Sequence, residues 1–342
     1  MTGFSLVRRL VGPGLVALAT VMISCGGGDQ GDGRTAGVIR VDGSSTVYPI
    51  AEAAAEEFQR ANPGMRVTVG ISGTGGGFQK FCRDEIDISD ASRPIRKSEH
   101  DACTAAGVEY IELPVAYDGI AVVVHEDNTW ATEMTVDELR RLWEPAAQAK
   151  IMRWNQIREG WPDAEIHLFG AGVDSGTFDY FTEAIVGEED ASRGDFTSSE
   201  DDNVIVQGVS GDEYALGFFG FAYYEENQDR LNVVAIDDSD DANGAGAIAP
   251  SPVTVEDGTY RPLSRPVFIY PKVSALERPE VLGLVEFLLT EGRPLVREVG
   301  YIQLTDHEYD LVINRLAERR TGSMYTSTSG QSRVSLEELL SQ

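Results

Sequence analysis

The chain has 342 residues, 42% of them hydrophobic, so it is long and apolar enough for two packed domains. Asp and Glu number 56 against 28 Lys and Arg. The resulting net charge of −28 argues against a nucleic-acid partner, whose phosphate backbone demands the opposite sign.

Residues 1–24 read as a targeting segment. Arg8 and Arg9 form a positive start, residues 10–23 are apolar, and Met22-Ile23-Ser24-Cys25 places a small residue before a cysteine, as a lipidation signal requires. The expectation is a lipoprotein held to a membrane by lipid (palmitate) on Cys25, outside the cytoplasm, with Gly/Asp-rich residues 25–36 as a flexible tether. An ordinary secretory signal or a single anchor is the alternative, although the apolar run is short for a spanning helix. In an oxidising compartment Cys82 and Cys103 are expected to pair as a disulfide, with two buried free thiols as the alternative.

Residues 38–41 form the first predicted strand. It enters Gly43-Ser44-Ser45-Thr46, which precedes a helix over 49–61 with Ile50, Ala54 and Phe58 on one face. A second strand, 66–71, enters Ser72-Gly73-Thr74-Gly75-Gly76-Gly77, read as a loop before a helix from Phe78. A third, 86–89, runs into Asp90-Ala91-Ser92-Arg93-Pro94. Ser98-Glu99-His100-Asp101 has the form of a capping box for a helix ending at Gly107. Strands at 110–116 and 117–124 follow, with a crossing into a second lobe between them. Thr135-Val136-Asp137-Glu138 caps a helix through Trp143, and a strand at 166–169 enters Gly172-Val173-Asp174-Ser175-Gly176-Thr177 ahead of another helix. Residues 203–209 and 215–224 read as strand-like, 237–246 as a Gly/Asp loop, and 266–271 as a strand returning to the first lobe. Helices over 279–291 and from Thr305 close that lobe. Residues 319–333 are expected to be loose, with a short docking helix over 334–340. Strand–helix alternation of this kind predicts a mainly parallel α/β sheet.

The Ser/Thr/Gly segments share one design. Each lies between a strand and a helix start, where the first backbone N–H groups have no partner within the helix and the dipole favours an anion. Ser175, Thr177, Ser45, Thr46, Ser72 and Thr74 add hydroxyl donors, and Gly75 and Gly176 let a ligand approach the backbone. The repetition points to a small tetrahedral oxyanion held by several helix ends. Hydrolytic chemistry lacks its motifs. Ser175 is not in a Gly-x-Ser-x-Gly elbow, and Gly75-Gly76-Gly77 is followed by Phe78-Gln79-Lys80 rather than by the Lys-Ser/Thr of a phosphate-binding nucleotide loop. The four histidines (His100, His125, His167, His307) have no ligand spacing to one another, so no enzyme, cofactor or metal site is expected.

Taken together, Gly43-Ser44-Ser45-Thr46-Val47-Tyr48-Pro49, Ser72-Gly73-Thr74-Gly75-Gly76-Gly77, Ala91-Ser92-Arg93-Pro94, Ala116-Tyr117-Asp118-Gly119-Ile120, Trp154-Asn155 and Asp174-Ser175-Gly176-Thr177 resemble the phosphate-binding proteins of bacterial ABC transporters, the PstS family and its SphX-like branch. The resemblance implies a type II periplasmic-binding-protein fold, two α/β lobes joined by a two-strand hinge with ligand in the cleft. It implies lobe 1 over 37–117 and 264–318, lobe 2 over 118–263, and a C-terminal tail over 319–342. It implies a monomer that captures inorganic phosphate and delivers it to ABC permease transmembrane subunits. The implied ligands are Ser45, Thr46, Ser72, Thr74, Gly75, Ser92 and Arg93 from lobe 1, with Ser175, Gly176 and Thr177 from lobe 2. Many family members carry an arginine just before the last loop. Gly170-Ala171-Gly172-Val173 has none, and Arg93 is expected to take that charge-paired role in its place.

Phosphate keeps a proton at neutral pH and sulfate does not, so a carboxylate in the cleft would separate them. Asp118 is the leading candidate, with Asp90 and Asp174 behind it. The alternatives are a binding protein for sulfate or molybdate, and a phosphate sensor that never meets a permease.

Overall fold

The computed structural model describes residues 37–173, 175–199, 201–325 and 335–342. The targeting segment, Cys25, the tether and Asp174 lie outside the described residues.

The first stretch builds β1 (Val38–Gly43), α1 (Tyr48–Ala61), β2 (Arg66–Ile71), α2 (Gly73–Cys82), β3 (Ile88–Ala91) and α3 (Lys97–Ala105). β1 pairs parallel with both β2 and β3. α1 begins with Pro49 in its first turn and buries Ile50, Ala54 and Phe58, the face read from the sequence. The Ser72–Gly77 segment is not a loop ahead of a helix. Its residues 73–77 are the first turn and a half of α2 itself. The predicted capping box at Ser98 is displaced as well. The helix starts two residues earlier, and the Glu99 carboxylate accepts the Arg96 backbone N–H at 2.8 Å. A disulfide joins Cys82, at the end of α2, to Cys103 on α3.

β4 (Leu113–His125) then runs thirteen residues without a break, all but the last buried. The two strands expected on either side of Tyr117 are therefore one, and the crossing happens in mid-strand. After it come β5 (Glu133–Thr135), α4 (Val136–Trp143), β6 (His167–Ala171), α5 (Gly176–Phe181), β7 (Thr197–Ser199), α6 (Asp202–Ser210), β8 (Ala215–Gly220) and α7 (Phe221–Glu225). The box capping α4 forms in both directions, Glu138 N to Thr135 Oγ1 at 3.1 Å and Thr135 N to the Glu138 carboxylate at 2.9 Å. Residues 203–209, read as strand-like, belong to helix α6. Asp201 caps it, and Ile205, Val206 and Val209 bury one helical face. Of 215–224, only the first six residues are strand.

β9 (Leu231–Val233), β10 (Ala235–Asp237), α8 (Pro252–Glu256), β11 (Ser264–Pro271), α9 (Pro279–Leu289), α10 (Arg293–Glu298), α11 (Asp306–Ala317) and α12 (Leu336–Leu340) complete the order. Among the described residues, nine strands form one curled sheet in the order β2-β1-β3-β11-β4-β8-β6-β7, with β9 against β4, while β5 and β10 pair separately. β4 ties the two halves together. Leu113 to Gly119 pairs with β11, and Ile120 to Val124 pairs with β8. The tail is not loose over its described part. Gly322 N bonds Tyr110 O at 2.9 Å, Met324 N bonds the buried Glu112 carboxylate at 2.7 Å, and Leu336, Leu339 and Leu340 are buried. No helix of the described residues is long and apolar enough to cross a membrane.

Candidate functional site

β1, β2 and β3 run parallel, so their carboxyl ends open on one edge, where open α/β sheets place ligands. Ser44, Ser72 and Ser92 are the first residues past those ends. Gly43 makes the convergence possible. Its φ is +152°, and a Cβ there would stand 2.1 Å from the Asp90 carbonyl oxygen. The turns are then stitched together. Ser72 N donates to Gly43 O at 3.0 Å, Ser44 N to Asp90 O at 3.1 Å, and Ser92 N to Thr74 Oγ1 at 3.2 Å. Asp42 lies below and accepts from Ser72 Oγ and from Lys80 Nζ.

The opposite wall comes from α5. Phe181 stacks on Phe218 of β8 with ring centroids 3.8 Å apart, fixing the helix against the second half of the sheet. Ser175 caps it, accepting from Phe178 N at 3.2 Å. The two sides touch directly. Ser45 Oγ donates to Asp179 Oδ2 at 2.7 Å, and Thr46 Oγ1 to Gly176 O at 3.3 Å. The approach is close enough that a Cβ on Gly176 would lie 2.4 Å from Thr46 Cα. α5 continues as a π-helical turn, Thr182–Val186, which carries Glu183.

Between these walls lies a cavity of about 410 Å³. It brings together Ser45, Thr46, Ser72, Thr74, Gly75, Ser92 and Arg93 of the sequence-predicted set. Ser175, Gly176, Thr177 and Asp118 are not on its wall. The first three stand at the start of α5, in contact with the Thr46 turn through Gly176. Asp118 is buried behind Arg265.

Arg93 faces the cavity already paired. Its guanidinium makes a two-pronged bond to Glu99, at 2.9 and 2.8 Å. The cation that sequence reading missed is Arg265, at the start of β11 and in register with Asp118 of β4. Its guanidinium stacks on the Tyr180 ring at 3.5 Å, and its nitrogens approach Thr46 Oγ1 at 3.4 Å, Glu183 Oε2 at 3.4 Å and Asp118 Oδ2 at 3.5 Å. One side chain thus touches both walls and the strand between them. The available signal was an arginine one residue before a predicted strand, which by itself says nothing of where it points.

Carboxylates also line the far wall: Asp179, Glu183, Glu189 and Asp190. Burial, reinforced by Asp190 and Glu189, pushes Asp179 up to about 6 against the lowering effect of its Ser45 bond. Burial likewise pushes Asp118 up to about 6, opposed by Arg265. Asp90 is fully buried, its carboxyl raised well above the usual range by burial and then by Asp42, and neither of its oxygens has a hydrogen-bond partner among the described residues.

Hydroxyls, helix-start amides and three arginines (Arg93, Arg96 and Arg265) around a cavity at strand ends are the equipment of a solute-binding protein of the two-walled type. The comparisons agree. Residues 29–291 match the PBP superfamily domain. Protein SphX of Synechococcus elongatus is 46% identical over 305 residues, covering 89% of this chain and 88% of its own. The phosphate-binding protein PstS of Staphylococcus saprophyticus is 33% identical, covering 88% and 91%. The crystal structure of a possible phosphate binding protein from Planctomyces limnophilus superposes with a TM-score of 0.79 at 47% identity, covering 83% of this chain and 98% of that one. The chain belongs to the PstS/SphX family of the PBP superfamily, and its fold is the type II periplasmic-binding-protein fold.

Proposed function

We propose that this protein is an extracytoplasmic binding protein that captures inorganic phosphate and passes it to the transmembrane subunits of an ABC permease. The observation that carries this reading is the cavity itself. It is walled by the hydroxyls of Ser45, Thr46, Ser72, Thr74 and Ser92, the amide of Gly75 at the start of α2, and the guanidinium groups of Arg93 and Arg265. Such donors match a small anion with four oxygens. The names of the phosphate-binding protein PstS and of the possible phosphate binding protein from Planctomyces limnophilus support phosphate as that anion. Both are named for binding rather than catalysis, and the same role is proposed here.

The reading assigns lobe 1 to 37–117 and 264–318, lobe 2 to 118–263, and a tail to 319–342. Ser175, Gly176 and Thr177, at the start of α5 against the Thr46 turn, are assigned as the lobe 2 contribution, and a ligand held by donors from both lobes favours the closed state. Lipid on Cys25 holds the monomer to the membrane.

A phosphate proton needs an acceptor. Asp118 held that role in the sequence reading, and its raised pKa keeps it eligible. Asp179 has the better position, since it lies on the cavity wall while Asp118 Oδ2 turns to Arg265. Either carboxylate would repel sulfate. Calorimetric titration of residues 34–342, stripped of ligand, with phosphate and then sulfate tests the reading. Saturable binding of phosphate alone is expected. Binding of sulfate instead would overturn the substrate, and binding of neither would overturn the transport role.

A further inference from the structure

One carbonyl on the cavity wall is not served by the helix that follows it. Thr46 precedes α1, and its C=O would ordinarily accept from the third or fourth residue on. The third is Pro49, which has no N–H, and the N–H of the fourth, Ile50, bonds Val47 O at 3.1 Å. The partner comes instead from 255 positions away, where the Tyr301 hydroxyl donates to Thr46 O at 2.5 Å. Tyr301 is itself fixed at the crossing of the sheet. Gly300, at φ +87°, turns the chain after α10, and Tyr301 N closes that turn on Val296 O at 3.0 Å. Its neighbour Ile302 exchanges both backbone bonds with Tyr117 of β4, at 2.8 and 3.0 Å, just short of Ile120, where pairing with β8 begins. Burial lifts the Tyr301 hydroxyl above the ordinary tyrosine range, with Asp118 adding to the effect, so it stays a donor.

We propose that Tyr301 is a positioning residue for the phosphate site: from the crossing it holds the Thr46 turn, so that the Thr46 hydroxyl keeps its place on the cavity wall. The proposal rests on the phosphate reading of that cavity. Thr46 Oγ1 lies 3.3 Å from Gly176 O and 3.4 Å from an Arg265 nitrogen, so the turn that Tyr301 holds is the one where α5, β11 and the first wall meet. Tyr301 is not on the cavity wall itself. It acts through the Thr46 backbone, and a small shift of that turn moves a donor away from the ligand. The hydroxyl also answers the one acceptor that Pro49 leaves open, which gives the bond a reason independent of how the tyrosine ring packs.

Tyr301→Phe keeps the ring and removes the bond. Isothermal titration of ligand-stripped protein with inorganic phosphate is expected to show affinity about tenfold weaker, and stopped flow to show faster dissociation with association within about twofold. Double variants separate positioning from general loosening. In a Thr46→Val background, which has no hydroxyl to place, Tyr301→Phe is expected to cost less than about threefold, while in a Ser72→Ala background it keeps its cost of about tenfold. Thr46→Ala takes the place of Thr46→Val if that chain does not fold. Phosphate affinity within about twofold of wild type in Tyr301→Phe overturns the assignment and leaves the phosphate reading standing. Equal losses in the two backgrounds also overturn it, by making the hydroxyl a support of the fold as a whole, and so does a Tyr301→Phe chain that does not fold. A wild-type chain that binds no phosphate overturns the phosphate reading and this assignment with it.

Discussion

Arg265 and Asp118 face each other across the β11–β4 ladder, register partners whose Nε and Oδ2 stand 3.5 Å apart with both side chains largely shielded from solvent. The pair sits where the sheet passes from one half to the other. From that point Arg265 reaches Thr46 on one wall and Glu183 on the opposite one. A cation so placed both attracts the ligand and couples the walls.

Replacing Arg265 therefore has two readouts. Arg265→Ala leaves Asp118 buried without its counter-ion and is expected to cost about 3 kcal/mol of stability in urea unfolding. The same variant is expected to lose phosphate affinity by at least about a hundredfold in calorimetry, the scale of a lost charge-assisted contact. Arg93→Ala is expected to lose less, because Glu99 already holds that guanidinium on two bonds. A larger loss at Arg93 would return the main charged contact to the residue the sequence favoured.

Asp118 predicts a pH dependence of stability. Its folded carboxyl is raised to about 6, above the value of roughly 4 in an unfolded chain. Between those values the folded state holds a proton that the unfolded state has released, so this group's contribution is full below about pH 4 and declines as pH rises to about 6. Asp118→Asn is expected to remove that decline, worth roughly 2 kcal/mol, from the difference between urea unfolding curves taken at pH 4.5 and pH 7. An unchanged pH slope in the variant would mean that Asp118 keeps an ordinary carboxylate pKa.

Gly176 is expected to control how closely the walls meet. Gly176→Ala would thrust a methyl group to 2.4 Å from Thr46 Cα and 2.5 Å from Thr46 N, both backbone atoms that cannot swing aside. The expected result is a folded protein with a larger radius of gyration by small-angle scattering and phosphate binding weakened by about tenfold or more. An unaltered scattering curve with full affinity would show that the contact is dispensable.

Ser175→Ala with Thr177→Ala probes the α5 start. Loss of the Ser175 cap is expected to cost about 1 kcal/mol in unfolding, while phosphate affinity falls far more than that in proportion. Unchanged affinity would remove this loop from the ligand set.

The disulfide closes a separation of 21 residues, for which chain entropy gives about 3 kcal/mol. Because it ties α2, whose first turn lines the cavity, to α3, which carries Glu99, the Cys82→Ser, Cys103→Ser double variant is expected to lower the unfolding midpoint and to weaken phosphate modestly. Full stability without the bridge would show that packing alone holds these helices together.

Much of the first wall was legible because its residues follow a local rule. Ser45, Thr46, Ser72 and Ser92 lie between a strand end and a helix start, Thr74 lies in the first turn of α2, and that grammar is written within a few residues. Arg265 was not legible. Its meaning depends on register with Asp118, 147 positions away, and no local pattern records such pairing. Asp179 and Glu183 sit four apart on one helical face, yet the sequence does not say whether that face looks at solvent or at Ser45. α6 was misread for a different reason. Its Val and Ile residues favour strands locally, and burial of one helical face overrode that preference. The uninterrupted course of β4 escaped notice because Tyr117-Asp118-Gly119 has the composition of a turn.

That uninterrupted course has a mechanical consequence. A joint built from a loop swings freely until something stops it. β4 instead pairs with β11 over Leu113–Gly119, with one register shift, and then with β8 over Ile120–Val124, so separating the walls has to wind the strand about its own axis. Such a joint is expected to act as a torsion bar, in which the ladder resists opening more as the angle grows. Ligand exchange is then expected to be paced by how readily those thirteen residues twist.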